Sequence, residues 1–572
     1  MFHYETQGEF MKKSIWTLFV VLIFSTKLLF QQAIGAVEYI PGEVIVKFKS
    51  GHSKSFLANK SAEFYDSRLM QLSAGEFGVL KVKNKSSIES IIRVLSDEPA
   101  IEYAEPNYLY RAINQRLDIS DILAGTSDPK YSKLWGLKNT GRNEPQSSGG
   151  NSSSTGIADA DINAERAWSL SKGDKNIVIA VIDTGVDYEH EDLSNNIWVN
   201  QVELNGAPGV DDDGNGYIDD IHGYDFANKD GDPMDGNGHG THVAGTIAAE
   251  HNNGVGIAGV MAQASIMGIK FLSDQGSGSS ADAIAAIDYA TKMNVDIMSN
   301  SWGGGGFSQA LEDAIAAASA KGIIFTAAAG NSSTDNNNIP HYPSNYDIDN
   351  VISVAAHNYS DELASFSCYG SNTVHVAAPG RNILSTTPKN TYDVYSGTSM
   401  ATPHVTGVVG LYLAYNGKTD PARLRKELMD SSIYARSYGR RLISGGRVDA
   451  YNFLNGIAQA RPAKPDPNAW GVMQVDILET PHPYPNKYKL TKTYQVPGAK
   501  FLRVIFKKFD VENNYDAISI LDSDGVEVQR VDGSGADFKS EYVDGDKITI
   551  EFNADPSVNK WGFVVEEIEY IQ

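Results

Sequence analysis

The chain of 572 residues contains one cysteine, Cys368. One thiol excludes an intramolecular disulfide framework, so stability in an oxidising compartment must come from core size or bound ions. Positive charge is scarce too: 48 Lys and Arg stand against 71 Asp and Glu, a formal net charge of -23. Phosphate backbones are held by clustered Lys and Arg, so no nucleic-acid partner is expected. What is present, at 41% hydrophobic and 21% charged residues, is ordinary globular material in a chain too long for one core.

The N-terminus carries a targeting pattern. Lys12 and Lys13 precede an apolar run from Ile15 to Phe30 that Lys27 interrupts, and small residues follow at Ala33, Gly35 and Ala36. That is a signal peptide over 1–36, with Met11 a candidate start, and it implies a secreted, extracellular product with no stable membrane insertion after cleavage. Beyond it, "EYIPGEVIVKFKSG" alternates like a strand, "SSIESIIRVLSDEPA" has helical spacing and "IEYAEPNYLY" returns to strand, a small α+β unit over 37–113. A polar segment, 114–127, reads as a processing linker.

From "NIVIAVIDTG" onward, short continuous apolar runs alternate with Ala-rich helical stretches. Strands buried on both faces and crossover helices make a parallel α/β unit over 128–458, whose ligands belong beyond the carboxyl ends of the strands. Asp183 and Asn331 stand at such ends. A proline-punctuated linker, 459–469, leads into alternating strands over 470–572, which read as a β-sandwich.

Two histidines, His239 and His242, lie three apart in "DGNGHGTHVAGT". The H-E-x-x-H spacing of a helical zinc site is absent, which weakens a metal reading. Three stretches carry a different chemistry: "AVIDTGVD" with Asp183, "GNGHGTHVAGT" with His239 and "YSGTSMATPHVTG" with Ser399. Singly they read as a turn cap, a helix start and an N-cap. Together, in the order Asp, His, Ser, they resemble the subtilisin-like serine proteases. The resemblance spans about 128 to 458 and implies that Ser399 is the nucleophile, His239 its general base and Asp183 the carboxylate that orients the imidazole. It leaves His242 and His404 as packed histidines. It implies an oxyanion hole formed by the Asn331 side chain and the Ser399 backbone N–H. It also implies substrate edges at Gly276, Ser277, Gly278 and at Ser301, Trp302, Gly303, where glycines let an extended peptide approach. His341, in "PHYPSNY", falls where many relatives carry a glycine at the pocket floor, so that pocket is narrowed or made polar.

The same resemblance makes 37–113 an inhibitor-type, ferredoxin-like propeptide, cut between about Arg111 and Asp128, with self-processing as the natural agent and the propeptide as an intramolecular inhibitor. Protein or peptide substrates follow as partners. Calcium is the expected structural ion. "VDDDGNGYIDD" offers Asp211, Asp213, Asn215 and Asp219 around Gly216, although His222 replaces the closing Glu of a calcium loop. A second run, "YDFANKDGDP", offers Asp225, Asn228, Asp230 and Asp232. The tail from Trp470 resembles a CUB module without its usual cysteines, and implies carboxylate ligands at Glu512, Asp516 and Asp555. Two alternatives stand beside the self-processing serine endopeptidase: a catalytically silent scaffold whose tail binds a surface or ligand, and a metal-dependent hydrolase. Cys368, in "LASFSCYGS", is far in sequence from the motifs and takes no role.

Overall fold

Alternating apolar residues build the first sheet. The computed structural model describes residues 38–60, 64–82, 88–112, 115–117, 128–145, 156–435, 437–461, 465–512 and 515–572. The signal-peptide reading lies outside them. Among the described residues no helix is long and apolar enough to cross a membrane.

Strands β1 (Tyr39–Phe48), β2 (Phe64–Leu72), β3 (Gly75–Val82) and β4 (Ile101–Ala112) pair antiparallel in the order β4-β1-β3-β2. Because side chains alternate along a strand, Val44, Val46 and Phe48 of β1 face helices α1 (Ser53–Lys60) and α2 (Ile88–Ser96), with Phe56, Ile88, Ile91 and Leu95. Ile45 faces the other way, into a core shared with Phe77, Ile284, Leu311 and Ile315. One sheet face is thus closed by its own helices and the other by two helices of the unit that follows.

That unit is built on a nine-stranded sheet. It contains β6 (Gly173–Asp183), β7 (Gly223–Asp225), β8 (Gln263–Lys270), β10 (Ile297–Asn300), β12 (Ile324–Ala328), β13 (Val351–His357), β14 (Val376–Pro379), β17 (Ile433–Tyr434) and β18 (Gly446–Arg447). Their order is β17-β18-β14-β13-β12-β10-β6-β8-β7, parallel throughout except for the β17–β18 pair. The continuous apolar runs in the sequence reflect burial on both faces. Short strands β9 (Ser277–Ser279) and β11 (Trp302–Gly304) lie outside this sheet, and β15 (Ile383–Thr387) pairs with β16 (Thr391–Ser396). The helices that matter here are α3 (His239–Ala248), α4 (Ser280–Lys292), α5 (Gln309–Ala320) and α6 (Thr398–Asn416).

The two units are locked by "EPN". Glu105 accepts from the Gln309 backbone N–H at 2.8 Å and the Ser308 hydroxyl at 2.5 Å, at the start of α5. Asn107 Oδ1 accepts from Ala281 N–H at 3.1 Å and the Ser280 hydroxyl at 3.0 Å, at the start of α4. Two residues on one strand face therefore satisfy the orphan N–H groups of two helices. Lys47–Asp313 and Arg68–Asp282 ion pairs flank this contact.

C-terminal to residue 470 all strands pair antiparallel. One sheet runs β19 (Gly471–Glu479), β27 (Gly562–Ile571), β21 (Phe501–Asp510), β24 (Ser534–Lys539), with β25 (Val543–Asp544) also on β21. The other runs β20 (Lys489–Gln495), β26 (Lys547–Asn553), β22 (Ala517–Leu521), β23 (Glu527–Val531). Leu502, Val504 and Phe506 of the first share one core with Ile518, Ile520, Ile550 and Phe552 of the second.

Burial has a pH consequence. Desolvation holds His242 and His375 down at about 3, and His341, His357 and His404 down at about 4. These rings stay neutral in the fold, while in the unfolded chain they take up protons below about pH 6.5. Their contribution is present above pH 6.5 and lost as pH falls from there toward 4. A Tm series over that window is expected to decline with falling pH.

Candidate active site

Asp183 closes β6, the strand beside β10 and β8, and is fully buried. Its Oδ1 accepts from Thr184 N–H at 2.7 Å and meets His239 Nδ1 at 2.6 Å. His239 opens α3. The residue before it, Gly238, has φ of 104°, a left-handed value that glycine adopts without strain, and this sets the angle at which the helix departs. At Gly240 a Cβ would lie 2.0 Å from the Gly185 carbonyl oxygen, so only glycine allows the helix to pass that close to the Asp183 turn.

Asp235 braces this junction, and the sequence reading missed it. Buried, it accepts from the Thr184 hydroxyl at 3.0 Å, the Thr241 hydroxyl at 2.7 Å, and the backbone N–H groups of Asn237, Gly238 and Thr241. One carboxylate thus ties the residue after Asp183 to the first turn of the helix that carries His239. A signal was available: an Asp four residues before the histidine, in a Gly-rich turn, is an N-terminal helix anion.

Ser399 is the second residue of α6, and its backbone carbonyl accepts from the Ser301 hydroxyl at 2.9 Å. The Ser399 hydroxyl in turn donates to the Ser301 carbonyl oxygen at 2.8 Å. His239 Nε2 is buried and takes no hydrogen-bond partner among the described residues. The Asp–His half of the constellation is therefore closed, while the serine hydroxyl is turned to β11. A χ1 rotation is the move that would aim Oγ at the imidazole.

Asn331 follows the end of β12, half-buried. Its Oδ1 accepts from both the N–H and the hydroxyl of Thr398 at 2.9 Å, and the same hydroxyl accepts from Gly330 N–H. These bonds fix the Asn331 Oδ1 on the residue before Ser399. His242 is accounted for by packing: it stacks on Tyr395 at 4.4 Å, and its Nε2 lies 3.0 Å from the Ile383 carbonyl. His404 sits in α6 against the Met400 carbonyl.

The two stretches read as substrate edges, at β9 and β11, are paired with the chain itself. The end of β4 runs antiparallel between β9 and β11, pairing Tyr110 with Gly278 and Gly304, and Arg111 with Ser277 and Gly303. Ala112 pairs with Trp302 and donates its N–H to the Gly276 carbonyl at 2.9 Å. The segment read as a linker also continues in part as a strand: β5 (Gln115–Leu117) pairs with β16, Gln115 opposite Ser396.

His341 lies half-buried under this edge. A Cβ on Gly303 would come 2.1 Å from its ring, and one on Gly330 would come 2.9 Å from it. The free thiol of Cys368 belongs to the same wall, which corrects the reading that set it apart. Its Sγ is 3.2 Å from the hydroxyls of Ser332 and Thr334, and its N–H bonds the Gly330 carbonyl. Sequence distance concealed a neighbour that sheet topology brings in.

Acidic groups converge differently from the loop reading. Glu203, Asp213 and Asp220 bring carboxylate oxygens within 4.8 Å of one another. Asp211 instead accepts from Asn215 and Gly216 N–H, and Asp219, at φ of 53°, accepts from Gly209 N–H. Asn215 remains at the cluster, donating to Asp213 and Asp220. Burial pushes Asp220 up to about 6, with Asp213 and Glu203 adding to the rise. In the second run, Asp225 is spent on Asn228, Asp230 on Asp232 N–H, and Asp232 on Met234 N–H and Tyr188. No acidic triplet converges there among the described residues. Glu512, Asp516 and Asp555 do converge.

A parallel α/β sheet whose strand-end Asp183 meets His239 at a helix start, with Ser399 in the first turn of another helix, is the arrangement expected of a serine hydrolase of the subtilisin type. Residues 174–460 match the Subtilase family (Peptidase_S8), residues 30–107 match the Fervidolysin N-terminal prodomain, and the chain belongs to the subtilase family as a serine endopeptidase. It is 35% identical over 418 residues to the "Thermophilic serine proteinase" of Bacillus sp. (strain AK1), covering 72% of this chain and 87% of the relative. It is 39% identical over 290 residues to "Thermitase" of Thermoactinomyces vulgaris, covering 51% and 92%. With "Subtilisin-like protease 1" of Plasmodium vivax it shares 36% over 313 residues, covering 51% of this chain and 48% of the relative.

Proposed function

We propose that the protein is a secreted, self-processing serine endopeptidase in which Ser399 attacks the peptide carbonyl, His239 carries the proton and Asp183 holds the imidazole. A serine hydroxyl needs a base within reach, and the imidazole returns the proton to the leaving amine. Asp183 on Nδ1 selects the tautomer that presents a basic Nε2 and stabilises the imidazolium that forms. The Asn331 amide and Ser399 N–H hold the oxyanion. The observation that carries this reading is the 2.6 Å Asp183–His239 contact beside a strand of the same chain lying in the cleft.

That strand favours a propeptide held as substrate, with boundaries near 37–113, the protease over 128–458 and a C-terminal region over 470–572. Support for the cut comes from β4, whose last described residues, Tyr110 to Ala112, lie paired between β9 and β11. The cut is therefore assigned just beyond them, to the bond after Ile113, inside the Arg111 to Asp128 window. The His341 ring below Gly303 narrows the pocket and suits a compact apolar side chain such as Ile113. N-terminal sequencing of the mature enzyme is expected to begin at Asn114. A start beyond Leu117 would sink this assignment.

The cluster of Glu203, Asp213 and Asp220 is an all-oxygen donor set, which fits calcium, and Glu512, Asp516 and Asp555 form another. Calcium bound there offsets carboxylate repulsion and takes no part in catalysis. Chelation is expected to lower Tm by roughly 5 to 10 °C, from ~2.7 kcal/mol at hundredfold excess over Kd and about 2 to 4 °C per kcal/mol. Glu203→Gln should shrink that calcium-dependent shift, read by calorimetry with and without EDTA. The two sheets after residue 470 sharing one core are consistent with a CUB-like β-sandwich.

A further inference from the structure

A cleft of about 870 Å³ that the chemistry above leaves unused lies between the protease and the C-terminal sheets. On one side it is lined by the loop that follows Asn331, from Ser332 to Ile339, and by Ser365 and Ser367. On the other it is lined by β23 and β24. Both are edge strands: β23 pairs only with β22, and β24 only with β21, among the described residues. Each leaves one row of backbone donors and acceptors without a ladder partner, which is a template for strand addition. The cleft also has an unanswered donor. Arg440 lines it with a side chain only 9% exposed; its Nη2 pairs with Asp544 and its guanidinium lies 3.2 Å from the Tyr542 ring centre. Its Nη1 is buried with no hydrogen-bond partner among the described residues. A buried guanidinium N–H left bare is costly and calls for an acceptor oxygen.

We propose that this cleft takes an extended segment of the protein substrate, remote from the bond being cut, by strand addition to β23 or β24 with a peptide carbonyl answering Arg440 Nη1. The occupant follows from position and chemistry. The cleft begins at Ser332, one residue from Asn331, so it adjoins the loop that carries Asn331. The molecule already binds an extended segment in this way, since β4 adds itself between β9 and β11. An extended polypeptide brings both the ladder partners for the two edges and the acceptor for the arginine, whereas a small anion would satisfy the arginine alone. The C-terminal region is then part of the substrate-binding surface of the protease.

This rests on the endopeptidase reading, so the test uses two substrates on the full-length processed enzyme. A short chromogenic tetrapeptide occupies only the catalytic subsites, and β-casein reaches the cleft. Ala536→Trp fills the cleft from an exposed position on β24, and Arg440→Gln removes the guanidinium and its reach. Ala536→Trp is expected to lower kcat/KM for casein by about tenfold, mainly through KM, with the tetrapeptide rate within about twofold of wild type. Arg440→Gln should move casein in the same direction. Equal losses on both substrates, or unchanged casein hydrolysis with Ala536→Trp, would overturn the proposal. Failure of the wild type on the tetrapeptide would instead count against the catalytic reading.

Discussion

Ser399→Ala is expected to lower kcat by about 10⁶-fold, the scale on which subtilisin itself loses activity with its triad serine, and to leave the chain uncut after Ile113. The loss is this large because no other described nucleophile stands at the place. His239 has its Nδ1 committed to Asp183, and Cys368 is buried behind Gly330 with Ser332 and Thr334 on its sulfur. The backbone should not move. The Ser301 hydroxyl still donates to the carbonyl of residue 399, and Thr398 still anchors Asn331 through its own N–H and hydroxyl. The Ser399 hydroxyl bond to the Ser301 carbonyl disappears. Residual catalysis over water should survive from the oxyanion donors and binding alone. Intact mass of purified wild type and variant, followed over time with fluorophosphonate labelling, reads both effects. A variant that processes itself at the wild-type rate would remove Ser399 from the mechanism.

The chemical roles of Asp183, His239, Ser399 and Asn331 are what the three motifs taken together imply, since singly each reads as a turn or a cap. Their places in the fold were legible: Asp183 ends a buried apolar run, Asn331 follows β12, and His239 and Ser399 stand in the first turns of helices. What depended on contacts across the fold was not. Nothing near Cys368 says that it lies behind Gly330, because that contact is made by the segment between β13 and β14 and the loop after β12 meeting in space. Asp235 reads as a turn residue until Thr184 and Thr241 are seen on either side of it. The acidic loop shows the limit most clearly. Spacing picked out Asp211 and Asp219 along with Asp213, but backbone geometry spends the first two on N–H groups and brings in Glu203, which lies outside the motif. Period-two alternation gave the strands of the propeptide, yet it could not foretell that β4 would outrun its own sheet and continue into the cleft.

Asn331→Leu is expected to lower kcat by about 10² to 10³, with little change in KM, the cost of one oxyanion donor. The selectivity for kcat follows from when the bond is made. The Asn331 Oδ1 is held by Thr398 before any substrate arrives, so the amide N–H groups need no reorganisation when charge develops on the carbonyl oxygen. A ground-state carbonyl gains little from them, which leaves substrate affinity nearly untouched. Asn331→Asp sharpens the point. The carboxylate still accepts from the Thr398 N–H and hydroxyl, so the local structure is kept, but it has no donor and sets negative charge where the oxyanion must form. It should therefore be the slower of the two variants at neutral pH. Steady-state kcat and KM on one tetrapeptide decide the matter: a raised KM with unchanged kcat in Asn331→Leu would reassign Asn331 from stabilising the transition state to binding the substrate.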